Sequence, residues 1–243
     1  MSTRASTLYT ALAIVAGVAV AVLATLLGNW QTRRGDAKEA IEAHWIAAEA
    51  AAPVAVSSRS DAMAVAAALP SRVTLRGGFV GAATVFVDNR TLDGAAGFQV
   101  VTPLRLEDGS AVLVNRGWLP RDARDPARMP PLVTPDGAVT VEGLAVARVP
   151  HLLELAPAAS LSLPGIWPNL DFADFERVAR IDVAPLVVQQ TNDTADGLRR
   201  VWPRPAAGVE KHRGYALQWY GLAILSAGLT LYYGARALRR KSA

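Results

Sequence analysis

The sequence predicts a membrane-anchored protein of two transmembrane helices, N- and C-terminal, flanking a mainly antiparallel β domain. That domain is β-barrel or sandwich-like, of α+β character, and lies outside the cytoplasm. Three observations carry the prediction. Leu8–Leu27 and Tyr215–Ala235 are long runs without a charged residue. Every Asp and Glu lies between them. The intervening chain alternates apolar and polar residues in short stretches separated by turn signals, the period of half-buried strands.

A helix rises about 1.5 Å per residue and a bilayer core is roughly 30 Å thick, so each charge-free run is long enough to span once. The expected boundaries are 8–27 for the first span, 31–211 for the domain, 212–235 for the second span and 236–243 for a basic cytoplasmic tail. A cleaved signal peptide is the rival reading of the first run. The run exceeds the usual apolar core of a signal and has only Arg4 before it, which favours an uncleaved anchor.

Asp36–Ala52 is rich in helix formers and stops before Pro53. Residues 54–70 are expected to be loosely helical or disordered. Strands follow at Arg72–Val80, Thr84–Asn89, Phe98–Leu106, Ala111–Asn115 and Val139–Val146, the third and fourth joined by a Glu107-Asp108-Gly109-Ser110 turn. Arg76-Gly77-Gly78-Phe79 lies inside a strand pattern and is expected to form a bulge. The Pro-rich, charged stretch 120–136 is an exposed loop, and 151–170 has no clear period. Asp171–Ala179 is a short helix whose Asp171 and Asp174 suit its N-terminus. Val183–Gln190 is a last strand, interrupted at Pro185.

The pI of 9.7 suggests a nucleic-acid partner until the charges are located. Residues 31–211 hold 19 bases and 21 acids, a net −2. The surplus is Arg4, Arg213, Arg236, Arg239, Arg240 and Lys241, all beside the spans. A nucleic-acid binder needs a clustered basic face on a folded module, so none is expected here. Arg236, Arg239, Arg240 and Lys241 directly follow the second span and favour the cytoplasm. Both termini are then cytoplasmic and the domain is periplasmic, in a bacterial cytoplasmic (inner) membrane crossed twice. The chain has no Cys, which excludes thiol nucleophiles, thiolate metal sites and iron–sulfur clusters.

The small residues Gly17, Ala21 and Ala24 of the first run, and Gly214, Gly221 and Gly228 of the second, form stripes through which the spans are expected to pack. Of the three histidines, none has metal-pair or triad spacing. No phosphate loop or paired catalytic carboxylate stands out, so no enzymatic activity is expected. His212 sits three residues before the second run, on one helix face with Tyr215, Ala216 and Trp219. An imidazole there, over aromatic rings, suits an axial haem ligand; it equally suits an interfacial histidine reaching for water.

The motifs carry a resemblance. Leu27-Gly28-Asn29-Trp30-Gln31-Thr32-Arg33-Arg34, Val87-Asp88-Asn89-Arg90, Gly97–Leu104, Val112–Pro120 and His212–Tyr220 resemble, in order, the signatures of the surfeit-locus family of cytochrome c oxidase assembly factors. The departure is Glu210-Lys211, where the family usually has Asn-Asn. The resemblance implies a role in maturing subunit I of aa3-type haem–copper oxidases, with haem a as transient cargo and His212 as its iron ligand. Tyr215 and Trp219 would wall that site. The implied partners are oxidase subunit I, a haem a synthase and the lipid bilayer. Arg116, at the end of a strand, suits either a haem propionate or the capping of carbonyls within the domain. Gly97 and Gly117 suit turn or bulge geometry. A haem-free scaffold holding subunit I or the synthase is the competing reading. An extracytoplasmic sensor is disfavoured because the cytoplasmic ends are short.

Overall fold

A computed structural model describes residues 3–152, 161–204 and 208–241. In chain order the elements are α1 (Thr3–Ala50), β1 (Val54–Val56), α2 (Arg59–Ala66), β2 (Ser71–Phe79), β3 (Val85–Leu92), β4 (Ala95–Arg105), β5 (Ala111–Pro120), β6 (Ala138–Val146), β7 (Gly165–Trp167), α3 (Phe172–Ala179), β8 (Val183–Gln190) and α4 (Val209–Lys241). The chain divides into two compact units: Met1–Ala43 with Arg204–Ala243, and His44–Pro203.

The first unit is a pair of long helices. The first span and the helix expected over 36–52 are one uninterrupted helix, α1, because no Gly-Pro or turn signal separates them. Within α1, Leu8–Ala50 is long and apolar enough to cross a membrane. α4 covers the second charge-free run and continues through Arg236 and Arg239 to Lys241, so the expected tail is helical that far. Tyr, Gln and Trp dilute its apolar character, and by length and composition alone it does not stand out as a span. Ser242 and Ala243 lie outside the described residues, as do 153–160 of the stretch expected to be irregular.

The helices run antiparallel. A Cβ built on Gly17 would lie 2.1 Å from Thr230 Oγ1, and one on Gly28 2.6 Å from Tyr220 Cε1. The buried and half-buried positions of α1 include Ile14, Gly17, Ala21, Ala24, Gly28, Gln31 and Gly35. Those of α4 include Ala216, Tyr220, Ala223, Ala227, Thr230 and Gly234. Both sets step by threes and fours, the repeat that keeps one seam facing a partner. The expected stripe of α1 therefore packs, and that of α4 does not. Gly214, Gly221 and Gly228 are exposed, with nothing near their Cβ positions. Their seven-residue spacing is the right period on the wrong face, two residues out of phase with Ala216 and Ala223.

The second unit is a mixed eight-stranded sheet, ordered β1-β2-β6-β8-β5-β4-β3-β7. An extra pairing of Gly78 and Phe79 with Arg105 and Leu104 joins β2 to β4. That contact closes β2-β6-β8-β5-β4 into a ring, a small barrel, which removes the edges between these strands. Antiparallel pairings predominate, but β1–β2, β5–β8 and β3–β7 are parallel. The expected bulge at Gly77-Gly78 is instead the point of closure. The β2–β6 register runs through both glycines without a shift. A Cβ on Gly77 would lie 2.1 Å from the Arg105 carbonyl oxygen, so only glycine lets β4 pass so close.

Side-chain alternation fills two cores. Val73, Leu75, Leu104, Val112, Val114, Val141, Leu186 and Val188 point into the barrel, and Ala62 and Val65 of α2 pack with them. On the outer face, Val85, Val87, Val101, Leu113 and Val187 pack with Trp167, with Phe175 of α3 and with Trp45 and Ala48 from the last turns of α1. β5 is thus buried on both faces. The 54–70 stretch, expected to be loose, holds β1 and α2, the latter started by a Ser58–Asp61 capping box. Asp171 caps α3, accepting from the backbone N–H groups of Ala173 and Asp174. β8 continues through Pro185. Its register against β5 shifts between Ala111 and Leu113, which accommodates a residue that cannot donate to the ladder.

Candidate functional site

Near the start of α4 the chemistry is polar on an otherwise small-residue seam. His212 is half-buried, and its Nδ1 lies 2.8 Å from Gln31 Oε1 on α1. With that amide oxygen as acceptor, Nδ1–H is the donor and Nε2 is left with its lone pair. The helices are close here: a Cβ on Gly35 would be 3.6 Å from His212 Cβ, ordinary contact distance. The next residue, Arg213, is clamped by Glu39 at 2.5 Å. Further along the seam, the Tyr220 hydroxyl donates to Asn29 Oδ1 at 2.8 Å and lies 3.2 Å from Thr32 Oγ1. Ser226 donates to the Gly17 carbonyl. Trp219 is half-buried and Tyr215 is 53% exposed, on the outward flank of α4. The structure therefore joins His212 to Gln31 and leaves Tyr215 turned away from the seam.

The other two histidines are engaged inside the second unit. The rings of His44 and His151 lie at hydrogen-bond distance from the Leu69 and Leu170 carbonyls.

The central motifs meet in the second unit. Between Val100 and Val101 the β4–β5 register skips one residue of β5, Arg116, which makes a bulge. Gly117, at φ +147°, completes it, and a Cβ there would lie 2.8 Å from Leu198 Cβ. Trp118 Nε1 donates to the Arg90 carbonyl at 2.7 Å, and a Cβ on Gly97 would strike the Trp118 ring. Gly97 thus serves close approach within a strand rather than a turn.

The bulge turns Arg116 inward, to 0% exposure. Its Nη2 donates to Asp196 Oδ2 at 3.0 Å and to the Val133 carbonyl at 2.7 Å, and its Nη1 donates to Thr134 Oγ1 at 3.1 Å. The Phe79 ring lies against its guanidinium at 4.7 Å. Arg200 reaches both oxygens of Asp196, at 2.7 and 2.8 Å. Burial pushes the Asp196 carboxyl up. Hydrogen bonds from Arg200, the Leu198 N–H and Thr194 outweigh it and hold the group below the usual carboxylate value. Burial pulls the Arg116 guanidinium down, against the opposing charge of Asp196. Of the two roles open to Arg116, the contacts seen are those of the internal one: its terminal nitrogens are engaged within the domain.

These contacts pair off the motifs. The Leu27–Arg34 block faces the His212–Tyr220 block, and Arg90, Gly97 and Arg116–Trp118 share one corner of the sheet. A sequence profile of the SURF1 family matches residues 18–224, which include every one of these positions. The chain belongs to the SURF1 family. A stretch of 47 residues is 43% identical to a SURF1-like protein of Dictyostelium discoideum. It covers 19% of this chain and 17% of that relative's length.

Sequence reasoning missed Gln31, Asn29 and Thr32 as partners of the second-helix motif, although all three stand inside or beside the first SURF1-family block. It also missed Asp196 and Arg200. The signal available was an Asp-Gly turn next to Arg199-Arg200 after the last strand, which reads equally as a surface loop.

Proposed function

We propose that this chain is a membrane assembly factor for cytochrome c oxidase that holds haem a at His212 for insertion into oxidase subunit I. The observation that carries the reading is the 2.8 Å contact of His212 Nδ1 with Gln31 Oε1: in the neutral ring, with Nδ1–H as the donor, Nε2 carries the free lone pair. An imidazole ligates iron through an unprotonated nitrogen while its other N–H is held by an acceptor. Membership of the SURF1 family, which is linked to oxidase assembly, supports the same direction. Haem a is cargo here, so one ligand at a half-buried position serves both capture and release. Trp219 offers an apolar flank, and Tyr215 an outward one.

In this reading both helices cross the membrane. Their contacts run from Ile14–Gly234 to Gly35–His212, roughly 30 Å at helical rise. Leu217, Ile224 and Leu231 turn outward from α4, each more than 70% exposed, an apolar ridge suited to lipid. The four bases that end α4 favour the cytoplasm, which supports both termini there and the barrel in the periplasm.

One observation favours a second reading, a haem-free scaffold for subunit I or a haem a synthase. The Gln31–His212, Asn29–Tyr220 and Glu39–Arg213 contacts also hold the two helices together. The deciding experiment is the absorption spectrum of the full chain co-produced with haem a biosynthesis, beside its His212→Ala variant. A Soret band in the parent that the variant loses, with both proteins inserted and folded, supports the carrier. Equal binding by the two, or none by the parent, leaves the scaffold.

A further inference from the structure

We infer that Gln31 is the positioning residue of His212, selecting the Nδ1–H tautomer and presenting Nε2 as the ligating atom; for haem, this rests on the carrier reading above. The geometry leaves the imidazole little freedom. α4 lies close to α1 at His212, where a Cβ on Gly35 would be 3.6 Å from His212 Cβ. Arg213 is held by Glu39, one residue on, and Tyr220 by Asn29 and Thr32, two turns on. These contacts, both beyond His212 on α4, set which face of α4 meets α1. Gln31 Oε1 then meets Nδ1 at 2.8 Å. The opposite tautomer would set a bare Nδ1 against this amide oxygen, two acceptors facing each other, and would require the amide to turn over and present its N–H, an option that Gln31→Glu removes. A hydrogen-bonded partner of this kind fixes the ring, sets its tautomer and raises the basicity of the other nitrogen.

Two variants separate the acceptor from the side chain's bulk. Gln31→Leu keeps most of the volume and removes the acceptor. Gln31→Glu keeps an acceptor and cannot present an amide N–H. The full chain, ¹⁵N-labelled at histidine, is examined by NMR in detergent micelles without haem at alkaline pH. The His212 signals in the parent and in Gln31→Glu should show Nδ1 protonated and Nε2 bare, and in Gln31→Leu the other tautomer should become populated. Haemin, followed at the Soret band, should bind Gln31→Leu roughly 10- to 100-fold more weakly than the parent. Gln31→Glu should bind at least as tightly as the parent. An unchanged tautomer in Gln31→Leu, or an Nε2–H parent, overturns the inference. If the tautomers follow Gln31 while the parent takes up no haem, the positioning role stands and the carrier reading fails.

Discussion

Arg116 and Arg200 share the Asp196 carboxylate inside the second unit, and both Arg116 and Asp196 have fully buried side chains. A buried ion pair adds little over well-packed apolar residues, but removing one member leaves a charge with no counterion. Asp196→Asn would leave two guanidinium groups without their carboxylate. It is expected to destabilise the domain by about 3–5 kcal/mol, read as a lower midpoint in thermal or denaturant unfolding of the full chain in detergent. The same carboxyl makes stability depend on pH. Its folded-state pKa lies below the ordinary value of 3.8, so its contribution is complete above that value and is lost as pH falls further toward the folded-state pKa. The parent should lose stability over that acid range more steeply than Asp196→Asn; parallel curves would remove Asp196 from the account. Histidine chemistry is local in the same sense. His212 differs from His44 and His151 in having a side-chain acceptor rather than a backbone carbonyl against its ring.

At the level of elements, the helix pair shows how a period can be right and a phase wrong. Glycines every seven residues mark α4, yet the seam uses Ala216, Ala223 and Thr230, spaced by the same seven. Leucine at Gly17 would collide with Thr230, and leucine at Gly28 with the Tyr220 ring. Leucine at Gly221 meets no atom within 4 Å at its Cβ. The cysteine-free chain allows a direct check. Cysteines replacing Gly35 and His212, whose Cβ positions lie 3.6 Å apart, should crosslink on mild oxidation. Adding Gly17→Leu or Gly28→Leu should suppress the crosslink, and adding Gly221→Leu should leave it intact. Suppression by Gly221→Leu alone would move the seam to the glycine stripe. In the barrel, the β5 bulge has a comparable effect: by inserting Arg116 it sends one charged side chain inward while the strand on either side keeps its alternation.

For the whole molecule, the outstanding quantity is orientation. The topology proposed above, a twice-crossed membrane with the barrel on the outer side, rests on the apolar run of α1 and the basic end of α4. A reporter inserted in the 120–136 loop, which is largely exposed, should be active only if it is one that works in the periplasm. Activity of a cytoplasmic reporter at that site would reverse the orientation and place His212 at the cytoplasmic interface. Deleting Arg236, Arg239, Arg240 and Lys241 together should weaken the bias, giving mixed reporter activity.

Sequence alone determined most of where the chain is helical and where it is extended; the short β1, α2 and β7 are the exceptions. Those choices depend on neighbours one to four residues away, and Leu8–Leu27, the strand alternations and the Asp171 cap all speak at that range. It also carried the family motifs, which are stretches of contiguous residues. Tertiary structure decided which side chains meet. His212 and Gln31 are 181 positions apart, and no local period joins them. The face of α4 that packs was chosen by fit to Gly17 and Gly28 across the seam, not by the smallness of its own glycines. The role of Arg116 followed from a one-residue skip in pairing and from Asp196, 80 positions away. Closure of the barrel followed from Gly77, where β2 and β4 come too close for any side chain. Short-range sterics and periodicity write secondary structure into a sequence, whereas these contacts exist only once distant segments share the same space.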